Sequence, residues 1–322
     1  MPGILFFNAF RYRLAAIPFI IFYSILFYKE YGRDFNKQAI NLVLIFLFGS
    51  VLGNSFIVQK IPKHESYDTY ADGFMAKGRT KTADKYYSMA LGNMKEDDPG
   101  AAEHSRTFEQ KAYLAEQQGK LTEAIDYLNQ AINAGQISTL NYYNRASLKY
   151  KTGDFEGAMA DYNASILHNN GDREKLSLAW YGLGITHIKL QKYDSAMNHF
   201  SYSIIADSSN SKAWANRGIL KGQFGDFKGA LSDLNKSIEI EPGYDKAFSN
   251  RGIAYLTLDQ SENALPDFNE ALRLNPGYAQ VYYLRAMTNI DLGNISGVCD
   301  DLQKAVQLGF QAAEQEVEKY CK

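Results

Sequence analysis

The chain repeats itself every 34 residues from residue 64 to residue 312. SKAWANRGILKGQFGDFKGALSDLNKSIEIEPGY (211–244) and DKAFSNRGIAYLTLDQSENALPDFNEALRLNPGY (245–278) correspond place by place. The same frame fits 64–97, 105–138, 139–172, 177–210 and 279–312, giving seven units interrupted only at 98–104 and 173–176. A fixed period of this length marks a repeat architecture, with one supersecondary element per unit.

Residue type recurs at fixed places in the frame. The fourth place is aromatic throughout: Tyr67, Phe108, Tyr142, Trp180, Trp214, Phe248 and Tyr282. The eighth is small: Ala71, Ala112, Ala146, Gly184, Gly218, Gly252 and Ala286. The twentieth is Ala83, Ala124, Ala158, Ala196, Ala230 and Ala264, then Val298, and the twenty-seventh is Ala or Ser in every unit. At 3.6 residues per turn, places four, eight and eleven share one helical face, and places twenty, twenty-four and twenty-seven share another. Small residues at eight and twenty let two helix backbones approach, and large ones at four and twenty-four fill the gaps. Gly153-Asp154 and Gly225-Asp226 supply turns inside units, and Glu241-Pro242-Gly243 and Asn275-Pro276-Gly277 supply turns between them. One such helix pair cannot bury its own apolar face, whereas stacked neighbours can, so the expected fold is an all-α solenoid.

The pattern resembles the tetratricopeptide repeat family over residues 64–312. Places seven and eleven often lack the Leu and Tyr of that family, and the ends of the first two units are atypical. The resemblance implies a solenoid of seven helix pairs closed by a capping helix at 311–321, with Glu314, Glu316 and Glu318 on its solvated face. It also implies that places two and six of the first helices line a ligand groove. Those places hold Lys212 and Asn216, Lys246 and Asn250, with Asn144 in an earlier unit. Lys and Asn four residues apart share one helical face, suited to gripping a carboxylate and backbone of a bound protein or peptide. A solvated face without a fixed ligand fits the same residues.

Place seven is Arg145, Arg217, Arg251 and Arg285 in four units, and place twenty-three is Asp161, Asp233, Asp267 and Asp301 in the same four. The other three hold Tyr70 and Tyr86, Lys111 and Tyr127, and Leu183 and His199. Both places lie at similar height on antiparallel helices. Structural Arg–Asp bridges are therefore expected, within a unit or between neighbours. Cys299 begins the last second helix and Cys321 ends the capping segment, about equally far from a turn near Gly309. A disulfide stapling the end of the solenoid, or two unrelated thiols, fits this spacing.

The first 63 residues differ in kind. Residues 14–28 (LAAIPFIIFYSILFY) and 39–59 (AINLVLIFLFGSVLGNSFIVQ) carry no charge. A bilayer core needs roughly 20 apolar helical residues. The second stretch has that length. The first reaches it only if Arg11 and Arg13 snorkel and Ile4–Phe7 joins in. The expectation is a transmembrane helical hairpin anchoring the solenoid of residues 64–322. A cleaved signal peptide is the alternative, but no small-x-small site follows and a second apolar span does. Gly49 and Gly53 form a GxxxG that suits packing against the first helix or a dimer face. Basic residues do not orient the hairpin: Lys29, Arg33 and Lys37 lie between the spans, and Arg11, Arg13, Lys60 and Lys63 lie outside them. A Cys299–Cys321 bond would favour an oxidising compartment. That places the repeats outside the cytoplasm, in the periplasm if the anchor sits in a bacterial inner membrane.

No catalytic motif is present. The five histidines, His64, His104, His168, His187 and His199, lack metal-ligand spacing, and no phosphate-binding glycine loop or GxSxG occurs. With Lys+Arg 34 against Asp+Glu 36, nothing supports nucleic-acid binding. Asn163, Asn235 and Asn294 begin Asn-x-Ser triplets that read as accidents of the repeat. The expectation is a non-enzymatic, membrane-anchored scaffold for a protein or peptide, with no cofactor and no metal. The alternative is the C-terminal portion of a larger polytopic membrane enzyme, glycosyltransferase or O-antigen-ligase-like, because the chain is apolar from its first residues, MPGILFFNAFRYR.

Overall fold

The computed structural model describes residues 63–92, 101–134 and 138–321. These form antiparallel helix pairs: α1 (Lys63–Met75) with α2 (Thr80–Leu91), α3 (Ala101–Gln117) with α4 (Leu121–Asn133), and α5 (Thr139–Thr152) with α6 (Phe155–Leu167). The series continues with α7 (Arg173–Lys189) and α8 (Tyr193–Ala206), α9 (Ser211–Gln223) and α10 (Phe227–Ile240), α11 (Asp245–Thr257) and α12 (Ser261–Leu274), and α13 (Ala279–Asp291) and α14 (Val298–Gln307). A 3-10 turn, Gln311–Ala313, then leads into α15 (Glu314–Tyr320). Among the described residues there is no strand, and no helix is long and apolar enough to cross a membrane. The two apolar stretches, with Gly49 and Gly53, lie outside the described residues.

Local chemistry sets the helix ends. Asp154, Asp172, Asn210 and Asp226 each accept a hydrogen bond from the backbone N–H three residues on, which satisfies a donor left free in the first turn. Place fifteen takes a left-handed backbone in every unit, which reverses the chain between paired helices. Five units use Gly there (Gly78, Gly119, Gly153, Gly225 and Gly293), while Gln191 and Asp259 adopt the same region at φ 57° and 56°.

The described parts of the insertions do not interrupt the stack. Residues 101–104 and 173–176 each add a helical turn, so α3 and α7 run to 17 residues where α9 has 13. Arg173, in the added turn of α7, donates to the carbonyls of Ala206 and Ile205 at 2.9 and 3.2 Å and so covers the end of α8.

Place twenty-four forms the spine of the core: Tyr87, Leu128, Tyr162, Phe200, Leu234, Phe268 and Leu302 are all buried. Each rests on the small residue at place eight of its partner helix, and the next unit completes the enclosure. One cluster joins Phe248, Ala264 and Phe268 to Val281 of the following helix, and another joins Leu234 to Ala247. Place twenty-seven does more than stay small: the hydroxyls of Ser165 and Ser203 donate to the carbonyls of Thr139 and Ser177 at 2.9 and 2.8 Å.

Neighbouring first helices also touch directly, α5 with α7 and α9 with α11, which neighbouring second helices do not do to that extent. The row of first helices is therefore the inner, compressed side of the stack. The capping segment differs from a plain helix over 311–321. It starts as the 3-10 turn, and Ala313, Val317 and Tyr320 pack on the last unit's core. Glu316 shares that flank, so its carboxylate is drawn inward while Glu314 and Glu318 stay exposed. One Glu316 carboxylate oxygen has no hydrogen-bond partner, and Lys319 Nζ lies 3.8 Å away.

Candidate functional site

The charged places form a regular series between helices. Arg251 donates from Nε and Nη2 to Asp267 at 2.8 and 2.6 Å. Arg145 holds Asp161, Arg217 holds Asp233 and Arg285 holds Asp301 in the same bidentate way. The pairing lies within a unit. The link between units comes from a residue the sequence pattern had not singled out, at place twenty-five of the preceding unit. There Asn129, Ser201, Asn235 and Asn269 accept from the remaining Nη1 of Arg145, Arg217, Arg251 and Arg285 at 2.7–3.1 Å. Each guanidinium also lies over the aromatic ring at place four, most closely Arg217 over Trp214 at 4.9 Å. One side chain thus ties three helices, and the aspartate's hydrogen bonds push the Arg251 and Arg285 pKa values further up. Lys149 and Lys221 add a second cation to Asp161 and Asp233 at 2.9 Å. These groups are occupied with one another, so their work is to hold the stack.

The units without the Arg solve the same problem differently. Lys111 reaches Asp84 at 2.6 Å and Ser88 at 3.0 Å on the preceding second helix. Burial lowers the Lys111 pKa, and the hydrogen bond and charge of Asp84 more than reverse that. In the fourth unit Leu183 is buried, and His199 stacks on His187 with ring centroids 4.7 Å apart. Burial pulls the His199 pKa below its ordinary value. In the first unit Tyr70 and Tyr86 lie 5.9 Å apart. At the other end Cys299 and Cys321 are joined by a disulfide, with Cα atoms 5.2 Å apart, which ties the capping helix to the first turn of α14.

Places two and six lie on the inner row. Lys212 and Lys246 are exposed and pair with no carboxylate among the described residues, while Asn144, Asn216 and Asn250 are half-buried. The amides of Asn216 and Asn250 each donate to the carbonyl one turn back, of Lys212 and Lys246, at 2.8 Å. That contact anchors each amide, and its oxygen accepts no hydrogen bond from the described residues. Asn216 also lies 3.4 Å from the hydroxyl of Tyr181. Tyrosines extend this surface. Burial raises the pKa of Tyr181, and the nearby hydroxyls of Tyr244, Tyr143 and Tyr150 raise it further. A signal for them was present: place five is Tyr143, Tyr181 and Tyr283 in three units, beside place six.

Among the described residues no three of His, Cys, Asp and Glu gather as metal ligands. What the surface offers is a row of amides, hydroxyls and lysine cations on stacked helices. This is an α-solenoid that presents a polar and aromatic inner face.

Residues 245–278 match one family model of the tetratricopeptide repeat, and residues 105–134 and 141–174 match a second. The chain carries tetratricopeptide repeats. It is similar to a tetratricopeptide repeat protein from Parabacteroides merdae ATCC 43184, at 21% identity and a TM-score of 0.58, over 81% of this chain and 99% of that one. It is also similar to a structure from the functional characterisation of Pseudomonas aeruginosa pilF, at 14% identity and a TM-score of 0.58, over 70% and 97% of the two chains. The Cut9–Hcn1 hetero-tetramer of the APC/C contains a chain 17% identical, with a TM-score of 0.55, over 76% of this chain and 45% of that one. At these identities the likeness concerns the fold. No curated protein matches the chain by sequence.

Proposed function

We propose that this chain is a membrane-anchored scaffold whose inner row of first helices binds an extended protein or peptide segment. The observation that carries the reading is the contrast between two polar sets. The Arg–Asp–Asn groups are consumed by one another, whereas Lys212, Lys246 and the amide oxygens of Asn216 and Asn250 face no partner among the described residues. Uncommitted, pre-oriented polar groups on a concave surface bind a partner at little ordering cost. The apolar stretches 14–28 and 39–59 support the anchor, which would raise the local concentration of the captured partner. The Cys299–Cys321 bond supports an extracytoplasmic solenoid.

A photo-crosslinking residue at Asn216 or Asn250 of the full-length protein tests the groove in cells. The expected result is one saturable crosslinked partner from these sites and none from Glu239 on the outer helices. Equal capture from Glu239 would remove the groove from consideration. Carbonate extraction, before and after deletion of residues 1–63, tests the anchor. Alkylation followed by mass spectrometry tests the compartment, since two free thiols at Cys299 and Cys321 in protein from cells would overturn it.

A further inference from the structure

Place twelve of the first helix carries a large, half-buried side chain in the later units: Tyr150, Ile188, Leu256 and Ile290. In the fifth unit it is Gly222. The missing side chain leaves a cleft of about 270 Å³ between α9 and α11. Ile219, Ala230, Leu234 and Ile253 line it with apolar groups, and Gln223 and Asn250 add amides.

Packing does not require this glycine. A Cβ on Gly184 or Gly252 would meet a phenylalanine ring at 2.5 or 2.7 Å, so those positions need Gly. A Cβ on Gly222 would meet only the Ala230 methyl at 3.6 Å, an ordinary contact. Gly222 has a helical backbone in the last turn of α9, with no left-handed φ to require it. A glycine inside a helix costs roughly 0.5–1 kcal/mol relative to alanine, and here no internal contact offsets that cost. The result is an apolar socket with an amide acceptor in its lining.

Charge beside the socket selects the occupant. Lys246 is one turn from Asn250 on α11, and Lys212 is about two turns from Ile219 on α9. At about 1.5 Å per helical residue these lysines stand roughly 6–10 Å along the helix axes from Asn250 and Ile219 at the edge of the socket. An extended chain covers that distance in about two or three residues. We propose that the cleft at Gly222 seats an apolar side chain of an extended acidic peptide segment, with Lys212 and Lys246 holding carboxylates two or three residues away. This deepens the groove reading above and rests on it.

The test uses full-length protein in detergent and the fluorescein-labelled peptide Ser-Glu-Glu-Ser-Leu-Ser-Glu-Glu-Ser, whose glutamates lie two and three residues from the leucine and whose symmetry serves either chain direction. Fluorescence anisotropy is expected to show saturable binding. Replacing the peptide leucine by serine, or introducing Gly222→Leu to fill the cleft from within, is expected to weaken binding about tenfold or more. Gly222→Ala, which leaves the cleft open, is expected to bind within about twofold of the parent and shows that substitution there is tolerated. Lys212→Glu with Lys246→Glu is expected to abolish binding. Binding lost with the lysine pair but unmoved by Gly222→Leu and by the serine peptide overturns the socket and leaves the groove standing. No saturable binding to the parent protein also overturns the socket, and crosslinking at Asn216 then decides the groove separately.

Discussion

The ring of Phe268 occupies the space that a side chain on Gly252 would need, with its nearest carbon 2.7 Å from the position of a Cβ there. The two residues sit on paired helices at places eight and twenty-four and belong to one decision. Ala112 and Ala286 at place eight face Leu128 and Leu302, but Ala71 and Ala146 face Tyr87 and Tyr162 and Gly218 faces Leu234, so the coupling belongs to this contact and not to the whole frame. Gly252→Ala is expected to destabilise the protein by about 1–3 kcal/mol through overpacking. Adding Phe268→Leu should recover most of that loss. A double-mutant cycle by thermal or urea unfolding measures the coupling, and strictly additive effects would refute it.

The Arg251–Asp267 pair makes a different prediction. The Asp267 side chain keeps 5% of its surface and Arg251 keeps 20%. Arg251→Met leaves a buried carboxylate without its partner and should cost about 2–4 kcal/mol, at or below the range for a fully buried pair. Arg251→Lys retains charge but loses the bidentate geometry and the bond to Asn235, for a loss of about 1–2 kcal/mol. Hydrogen exchange should show the loss in α10 as well as in α11 and α12, because the guanidinium binds all three. Protection unchanged in α10 would sink the idea that this arginine joins the units.

Place fifteen offers stabilisation. Gln191 and Asp259 hold the left-handed region that glycine holds in the other five units. That region costs a residue with a side chain roughly 1–2 kcal/mol, and part of the relief is lost to the freer unfolded chain of glycine. Gln191→Gly is expected to raise stability by about 0.5–1 kcal/mol, and Gly225→Ala to lower it by a similar amount. Unfolding midpoints that move the other way would contradict the assignment of strain.

Acid should loosen the fourth unit before the others. His187 and His199 both make their Nδ1 contact with a backbone carbonyl, Leu183 and Ser195, at 2.8 and 2.5 Å, so each neutral ring carries its proton there. Burial lowers the His199 pKa, and the charge of His187 lowers it further. The folded state therefore disfavours protonation relative to the unfolded chain. This contribution to stability is present above the unfolded value of about 6.5 and is lost as pH falls through the lower folded value. Exchange protection of α7 and α8 measured between about pH 7.5 and pH 5 should fall, and His199→Phe should flatten that dependence. A profile unchanged by His199→Phe would assign the effect elsewhere.

Much of the architecture was legible because helical geometry converts spacing into direction. Small residues at places eight and twenty, with large ones at place twenty-four, identify the buried faces before any coordinates are known. The co-occurrence of Arg and Asp in four units marked a pair, but left open whether it closes within a unit or between units. The asparagines at place twenty-five, Asn235 among them, gave no sign of their role, since they meet an arginine only after the next unit is set at its angle. The triplet at Asn235 illustrates this, for its asparagine is already engaged by Arg251 at 2.7 Å. Residues 98–104 and 173–176 looked like breaks in the count. The described part, 101–104 and 173–176, became helix because one added turn preserves the buried face.

The amino-acid order alone determined the period, the helix pairing, the apolar spine and the candidate lysines and asparagines of the inner row, because each follows from local spacing along one or two helices. Only the tertiary structure decided that Arg251 reaches back to Asn235, that Glu316 turns inward and that Gly222 opens a socket instead of relieving a clash. Those outcomes depend on the angle and distance between neighbouring units, which arise from the sum of many contacts and are written at no single position.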